Sequence, residues 1–483
     1  MRGMGKRILR SAAWAAAEVW GRHVAMFVVL VVLARHLGAD AFGLAALAMV
    51  VPVILAVPVT YGLPDALVQR AEIEDIHFDS VFWLLATAGL AGSVAIWSFA
   101  DLIAAAFSEP RLEPLLHWTA AIVGIQALAS VPIAHLKRRL EFRLFALRTA
   151  AGTAAGGTLG LSMALMDYGV WSLVGMQLAK AATETTILLS CSKWRPRLRF
   201  SYARCRDLFA FAGPLAVQSL WTTVNDELPK IILATLLGTQ AVGIYAFARR
   251  PLELLSQCFI GPLMAVALPA VSRMQRDPGR INRYYDTSVR VAGMVGLPVF
   301  IGFAAIAPEA VPFIFGAHWS VAVPAVQLLM LIGIMRTVDG ITGHALLGLG
   351  HSRLILKLNI AYTVLVLLLL PAAAHINLEA ALLALVLCNL ALVPIFLYLA
   401  ERIGGIDVRQ PLKLFPRLAA AAAAMFLAVT LWRLGAPAHA SSLVVISVGI
   451  GVGVVAYCAV AFALVRKELT AAGGMLLRIR QAG

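Results

Sequence analysis

Charge is scarce in this sequence. Its 483 residues carry 25 Asp and Glu and 40 Lys and Arg, 13% together, while 61% of side chains are apolar and mean hydropathy is +0.86. Soluble domains carry about 25% charged residues, so a secreted protein and a soluble enzyme on a tail anchor are both excluded. The short-range alternation of a transmembrane β-barrel is missing, and so are the long polar stretches that a sizeable extramembrane domain would need. The five cysteines, Cys191, Cys205, Cys258, Cys388 and Cys458, are odd in number and scattered, with no CxxC and no His at ligand spacing. They support neither a disulfide framework nor a metal site. No motif asks for a cofactor: GVGVV at 451–455 lies in an apolar run without a preceding strand, unlike a nucleotide loop.

What is present is a succession of long apolar runs. Punctuation by Gly, Pro and charge places helices near 11–35, 42–64, 80–106, 114–135, 145–166, 169–190, 207–236, 241–268, 286–307, 321–348, 354–374, 378–400, 413–434 and 442–465. The expected fold is all-α and polytopic, with about 14 transmembrane helices. The opening MRGMGKRILR imitates a signal peptide, but its apolar stretch runs on to Leu33 and carries Glu18 and Arg22, so it reads as a retained first helix. With the N-terminus inside, 31 of the 40 basic residues fall in inner loops and tails, three (Arg35, Arg111, Arg433) fall outside, and six lie within helices. One helix more or fewer would invert that asymmetry downstream, so it fixes the register and puts both termini in the cytoplasm. The net charge of +15 is then a loop bias, and no nucleic-acid partner is expected.

The chain also repeats itself. Positions n and n+200 across 30–63 share ten identities, among them Gly38/Gly238, Ala41/Ala241 and Gly43/Gly243, where about three would arise by chance. An offset of six helices preserves orientation, so the repeats are parallel, about an axis normal to the membrane. The predicted organisation is a six-helix bundle over 1–200, a second over 201–405, and two additional helices with a cytoplasmic tail over 406–483.

Four segments carry a family resemblance: ARHLGADAFGL (34–44), YGLPDALVQR (61–70), VGIYAFARR (242–250) and LPAVSRMQ (268–275). In these the chain resembles the Wzx-type polysaccharide flippases, of the superfamily that also holds the multidrug and toxin extruders. The resemblance covers nearly the whole chain. It implies a transporter, not an enzyme, that moves an oligosaccharide on a polyprenyl diphosphate by alternating access, with basic cavity residues meeting the headgroup. It also implies membrane lipids as surroundings, and a polysaccharide polymerase and co-polymerase as partners.

Charge inside a bilayer costs about 2.5–3.5 kcal/mol on insertion scales, so every intramembrane ion is a candidate site. Most fall in pairs one turn apart: Glu18 with Arg22, Lys180 with Glu184, Asp226 with Lys230, Arg249 with Glu253 and Arg336 with Asp339. Arg250, Glu227 and His344 have no obvious partner. Arg22, Lys230, Arg249, Arg250 and Arg336 are expected to line a cationic cavity, where guanidinium forks suit a diphosphate. Positions 249 and 250 are Met49 and Val50 in the other repeat, which favours binding over scaffolding. If the chain were instead a cation-coupled drug antiporter, Glu18, Asp226 or Glu227 would be the ion site. A membrane glycosyltransferase or polymerase is the third reading. It would need the carboxylates Glu72, Glu74, Asp75 and Asp79, with His77, to hold a metal on an outer loop, whereas loop parity places them inside, as a solvated loop. Gly152, Gly156 and Gly160 form a small-residue ridge for helix packing. Prolines 214, 229, 251 and 262 permit bends. The run from Lys193 to Arg206, with Trp194, Phe200 and Tyr202, suits anionic lipid at the inner leaflet.

Overall fold

The computed structural model describes residues 26–482 apart from 71, 140, 193, 438 and 439, and leaves out the side chains of 142, 211 and 465–482. The described residues are helical, with no strand among them. Ten of the described helices are long and apolar enough to cross a membrane, one of these being the run 212–274 that joins two helices across a bend. This is a multi-pass, all-α membrane protein.

One compact unit lies within residues 16–246. It contains α1 (Met26–His36), α2 (Ala39–Thr60), α3 (Leu63–Gln69), α4 (Asp75–Ser98), α5 (Ala100–Ala106), α6 (Leu112–Thr119), α7 (Ala121–Arg138), α8 (Phe142–Leu165), α9 (Trp171–Cys191) and α10 (Tyr202–Leu255) as far as residue 246. Helix α7 is central, packed on α2, α4 and α9, and α8 lies along α9. Leu47, Leu67, Leu115, Leu116, Val123 and Val131 fill the core. Glycine sets the α8–α9 separation: a Cβ on Gly156 would stand 2.6 Å from the Met176 carbonyl oxygen, and one on Gly160 2.8 Å from Met176 Cβ. The ridge read from the sequence is therefore a close helix seam. Helix α10 bends at Gly238, whose φ of 80° is open to glycine at no steric cost. The bend lies between the seventh and eighth helices expected from the sequence. Just beyond it, α10 crosses α2 glycine on glycine: a methyl on Gly43 would overlap the Thr239 carbonyl, and one on Gly243 the Ala39 carbonyl. The contact is reciprocal between positions two hundred apart, as a local two-fold relation would make it.

The other unit lies within 247–483. It continues α10 through a π-helical turn, Ser256–Ile260, into α11 (Gly261–Met274), then α12 (Pro278–Phe315), a 3₁₀ turn Ala317–Ala322, α13 (Val323–Gly348), α14 (Ser352–Ala374), α15 (Leu378–Arg402), α16 (Arg409–Leu412), α17 (Phe415–Gly435) and α18 (Ser442–Ala482). The π turn ends two residues before Pro262, which cannot donate to the preceding turn. Helix α12 starts well before the predicted 286, because Pro278 sits in its first turn and the Asp277 carboxylate accepts from Arg280 N at 3.0 Å. Its 38 residues span about 57 Å at 1.5 Å each, so its basic first turns extend past a hydrocarbon core of roughly 30 Å. The two helices outside the repeat pack on α12: Leu418 and Ala422 meet Leu297, and Tyr457 Oη donates to Met294 O at 3.1 Å. Phe247 stacks on Trp319 at 3.9 Å. Leu367, Leu368 and Leu369 on α14 and Val454, Val455 and Phe462 on α18 are exposed, a pattern suited to lipid and unsuited to water.

Candidate functional site

The first unit has a half-open cavity of about 390 Å³ lined by α2, α7, α8 and α9. Its lining is polar for a membrane helix bundle: Thr60, Gln126, Arg148, Thr149, Gln177, Lys180, Glu184 and Thr185, with Met49, Ile122, Ile133 and Phe145 as apolar wall. Arg148 Nη2 lies 3.3 Å from Glu184 Oε2, both side chains largely buried at 11% and 17% exposure, and the guanidinium covers the Phe145 ring. The sequence pairs Glu184 with Lys180, one turn away on the same helix; the structure pairs it across to α8. Gly152 allows this, since a Cβ there would overlap Glu184 Cγ. Arg148 stands one turn before that gap on the same ridge. Arg148 is buried inside α8. Its signal was the four-residue spacing that aligns it with Gly152, Gly156 and Gly160.

Of the other predicted site residues, Glu18 and Arg22 lie outside the described residues. On α10, Lys230 bonds Glu227 at 2.7 and 2.8 Å and not Asp226, its expected partner. Glu227 is 7% exposed while Asp226 is exposed, and a buried carboxylate must be paired. Arg249 closes the expected i,i+4 pair with Glu253 at 3.0 Å, its side chain 15% exposed, while Arg250 is exposed. Arg336 and Asp339 do not close theirs: one Asp339 oxygen is buried without a hydrogen-bond partner. His344 Nδ1 lies 2.8 Å from the Gly340 carbonyl oxygen. Lys230 thus belongs to the first unit and Arg249, Arg250 and Arg336 to the second.

The acidic segment after α3 is the solvated loop expected only in part, at the exposed Glu72, Glu74 and Asp75. His77 and Asp79 are buried, Asp79 accepts from Arg197 N at 3.1 Å, and Glu74 pairs with Arg204 at 2.8 Å. These groups bind the 192–204 segment to α4, where Trp194 packs on Phe78 and Phe82. Arg197, Leu198, Arg199, Phe200 and Tyr202 of that segment stay exposed.

Three of the four family-like segments prove to be clamps. In YGLPDALVQR, Gly62 turns at φ 86° and its N–H donates to Asp65 at 3.2 Å, which starts α3, and Arg138 donates to the Leu67 and Arg70 carbonyls at its end. In LPAVSRMQ, Ser272 and Gln275 donate to the Gly348 carbonyl closing α13. In ARHLGADAFGL, Asp40 accepts from Arg111 at 2.8 Å and from Thr239. Arg111 also bonds Glu109 at 2.7 Å, and this hydrogen bond, ahead of the opposing burial, holds the Glu109 carboxyl below its ordinary value.

The family described as polysaccharide biosynthesis protein matches residues 32–324, more than half of the chain. The succinoglycan biosynthesis transport protein ExoT of Rhizobium meliloti is 28% identical over 328 residues, 68% of this chain and 66% of that protein. The lipopolysaccharide biosynthesis protein WzxC of Escherichia coli is 25% identical over 347 residues, 70% of this chain and 69% of that protein. The match therefore spans about two thirds of each relative. Among solved structures, lipid II flippase MurJ in an inward closed conformation superposes with a TM-score of 0.78 at 13% identity, covering 94% of this chain and 98% of that one. An inward-facing multidrug resistance MATE transporter does so at 0.66 and 15%, covering 79% and 94%. The chain belongs to the polysaccharide biosynthesis protein family, on the fold shared by that flippase and the MATE transporters, and the resemblance to Wzx-type flippases read from its motifs holds.

Proposed function

We propose that this protein is a flippase that carries a polyprenyl-diphosphate-linked oligosaccharide, a polysaccharide repeat unit, across the bacterial inner membrane by alternating access, and is no enzyme. The observation that carries the reading is charge kept within the helix bundles: Arg148 and Glu184 largely buried beside Lys180 around one cavity, with Arg249 partly buried beside Glu253. Such groups are costly in a bilayer, and a sugar with its diphosphate is cargo that needs them. Met49, the repeat counterpart of Arg249, lines the cavity of the first unit, which supports a cargo-facing place for Arg249. Arg249 and Arg250 grip the diphosphate, with Arg22, Lys230 and Arg336 assisting. The names of the relatives, a succinoglycan transport protein and a lipopolysaccharide biosynthesis protein, point to the same cargo class. Fourteen spans, cytoplasmic termini, the division at 200 and 405, and a polymerase as neighbour complete the proposal.

The antiporter reading has one observation in its favour, the MATE-like fold, and one against. Glu227 already holds a lysine at 2.7 Å, so it offers a coupling ion little. A liposome assay separates the two. Purified protein with a fluorescent lipid-linked sugar should show flipping that is lost in Arg249→Gln/Arg250→Gln at equal protein level. A diphosphate carries about two negative charges, so an imposed potential, negative on the side of departure, should help by up to about 4–5 kcal/mol at 100 mV. Efflux of a cationic dye with no sugar-lipid movement would overturn the reading.

A further inference from the structure

The link from α9 to α10 presents a surface that neither the cavity nor the diphosphate grip uses. Its backbone is fixed to the first turns of α4. Arg197 N–H donates to Asp79 at 3.1 Å, the Trp83 indole N–H donates to the Arg197 carbonyl at 2.9 Å, and Ser201 N–H donates to Ser80 Oγ at 2.9 Å. Between these anchors the chain turns tightly. Arg199 N–H also donates to the Arg197 carbonyl, at 2.7 Å, a three-residue turn that leaves Leu198 88% exposed at its apex. The tip is a leucine between two arginines, with Phe200 and Tyr202 exposed beyond it.

We propose that this tip is a docking site for anionic phospholipid at the membrane–water interface, on the face that loop parity assigns to the cytoplasm. Leu198, Phe200 and Tyr202 enter the acyl boundary, and Arg197 and Arg199 meet headgroup phosphates. The inference rests on the membrane placement of the helices and is independent of the cargo, since no residue of the tip lines the cavity.

Among the described residues the Arg197 and Arg199 guanidinium groups are free of hydrogen bonds and ion pairs. Their neighbours are engaged by the fold: Arg195 donates to the Ser190 and Ser192 carbonyls at the end of α9, and Arg204 pairs with Glu74 at 2.8 Å. Depth agrees with a lipid ligand. The 24 residues of α4 span about 36 Å, slightly more than a hydrocarbon core of roughly 30 Å, so Asp79, Ser80 and Trp83 in its first three turns hold the tip near the edge of that core. Tryptophan is favoured at this level. The surface also runs on into the membrane: Tyr202, Arg206 and Phe209 follow at helical spacing on one exposed face of α10, which leads into the apolar spanning stretch that begins at Ala212. Basic charge alone does not make such a surface. The α11–α12 turn exposes Arg276, Arg280 and Arg283 with no large apolar side chain exposed between 269 and 294, the arrangement of a solvated loop. Arginines interleaved with aliphatic and aromatic groups suit the interface, where the charge stays among headgroups and the apolar body is buried.

The test is native mass spectrometry of the full-length protein, delipidated in a neutral detergent and titrated with phosphatidylglycerol, phosphatidylcholine or a polyglutamate peptide; thermal unfolding checks that each variant folds. Wild type should prefer phosphatidylglycerol to phosphatidylcholine. Arg197→Gln/Arg199→Gln should weaken phosphatidylglycerol about tenfold or more and leave phosphatidylcholine unchanged, while Arg197→Lys/Arg199→Lys keeps most of the affinity. Arg276→Gln/Arg280→Gln, which removes the same charge elsewhere, should have little effect. Leu198→Ser/Phe200→Ser, with both arginines intact, should weaken phosphatidylglycerol about threefold or more. No headgroup preference in the wild type, or equal losses from the two arginine pairs, would overturn the site. So would a polyglutamate peptide that binds as tightly as the lipid and ignores Leu198→Ser/Phe200→Ser, which would make the tip a dock for an acidic protein.

Discussion

Two regions of the first unit solve opposite problems. Where α2 crosses α10, two glycines remove every side-chain atom, backbone lies on backbone, and the charged groups nearby, Asp40 and Arg111, are about half exposed at 47% and 57%. Where α2, α7, α8 and α9 draw apart, space is left open and filled with charge, and the Arg148–Glu184 pair is almost shut off from solvent. Both depend on glycine, but Gly43 and Gly243 close a contact while Gly152 lets Glu184 settle against α8 so that it reaches Arg148. A transporter needs both kinds of region: one that seals, and one that holds a polar load away from lipid.

The comparison is most exposed to attack at the buried pair. Glu184→Gln leaves Arg148 and Lys180 together without a carboxylate, and should cost about 3–5 kcal/mol of stability, read as a fall in thermal unfolding temperature in detergent. Adding Arg148→Met should restore much of the loss; a double variant as unstable as the sum would mean that the two residues do not act as a pair. The crossing comes next. Gly43→Ala and Gly243→Ala each force a methyl into a carbonyl and should cost about 1–3 kcal/mol. Their effects should not add, because the first methyl already parts the helices. Unchanged unfolding temperatures would show that the contact is looser than described.

The exposed cluster should matter least. Arg111→Gln is expected to cost under about 1 kcal/mol and to matter less still in high salt. Its signature is pH. Because Arg111 holds the Glu109 carboxyl below its ordinary 4.5 in the folded protein, the pair's contribution is complete above that value and is lost as pH falls through the lowered one. Unfolding temperature should be level from neutral pH down to about 5 for this pair and fall below it, with Arg111→Gln flattening that acid limb. A drop beginning near neutral pH would point to another group. Sidedness sharpens the contrast further: in a cysteine-free background, Ser108→Cys should react with an impermeant thiol reagent from outside, and Arg199→Cys only after permeabilisation. Both positions are exposed.

Much of the protein was already decided by composition. Apolar runs of spanning length can only be satisfied as helices in lipid, so an all-α, polytopic chain follows before any contact is known. Gly38 and Gly238, matched at a spacing of two hundred, mark the repeat, and Gly238 does break α10. Arg249 and Glu253, an i,i+4 pair on one helix, were legible for the same reason: their distance is set by helical pitch. Tertiary structure decided the rest. Glu184 had a basic neighbour on its own helix and took one from α8; Lys230 had two acids in reach and took the buried one; Arg336 and Asp339 shared a face and did not meet. Local spacing fixes which groups could touch, but desolvation and the room left by glycines on the facing helix choose among them, and neither quantity exists until the helices have packed.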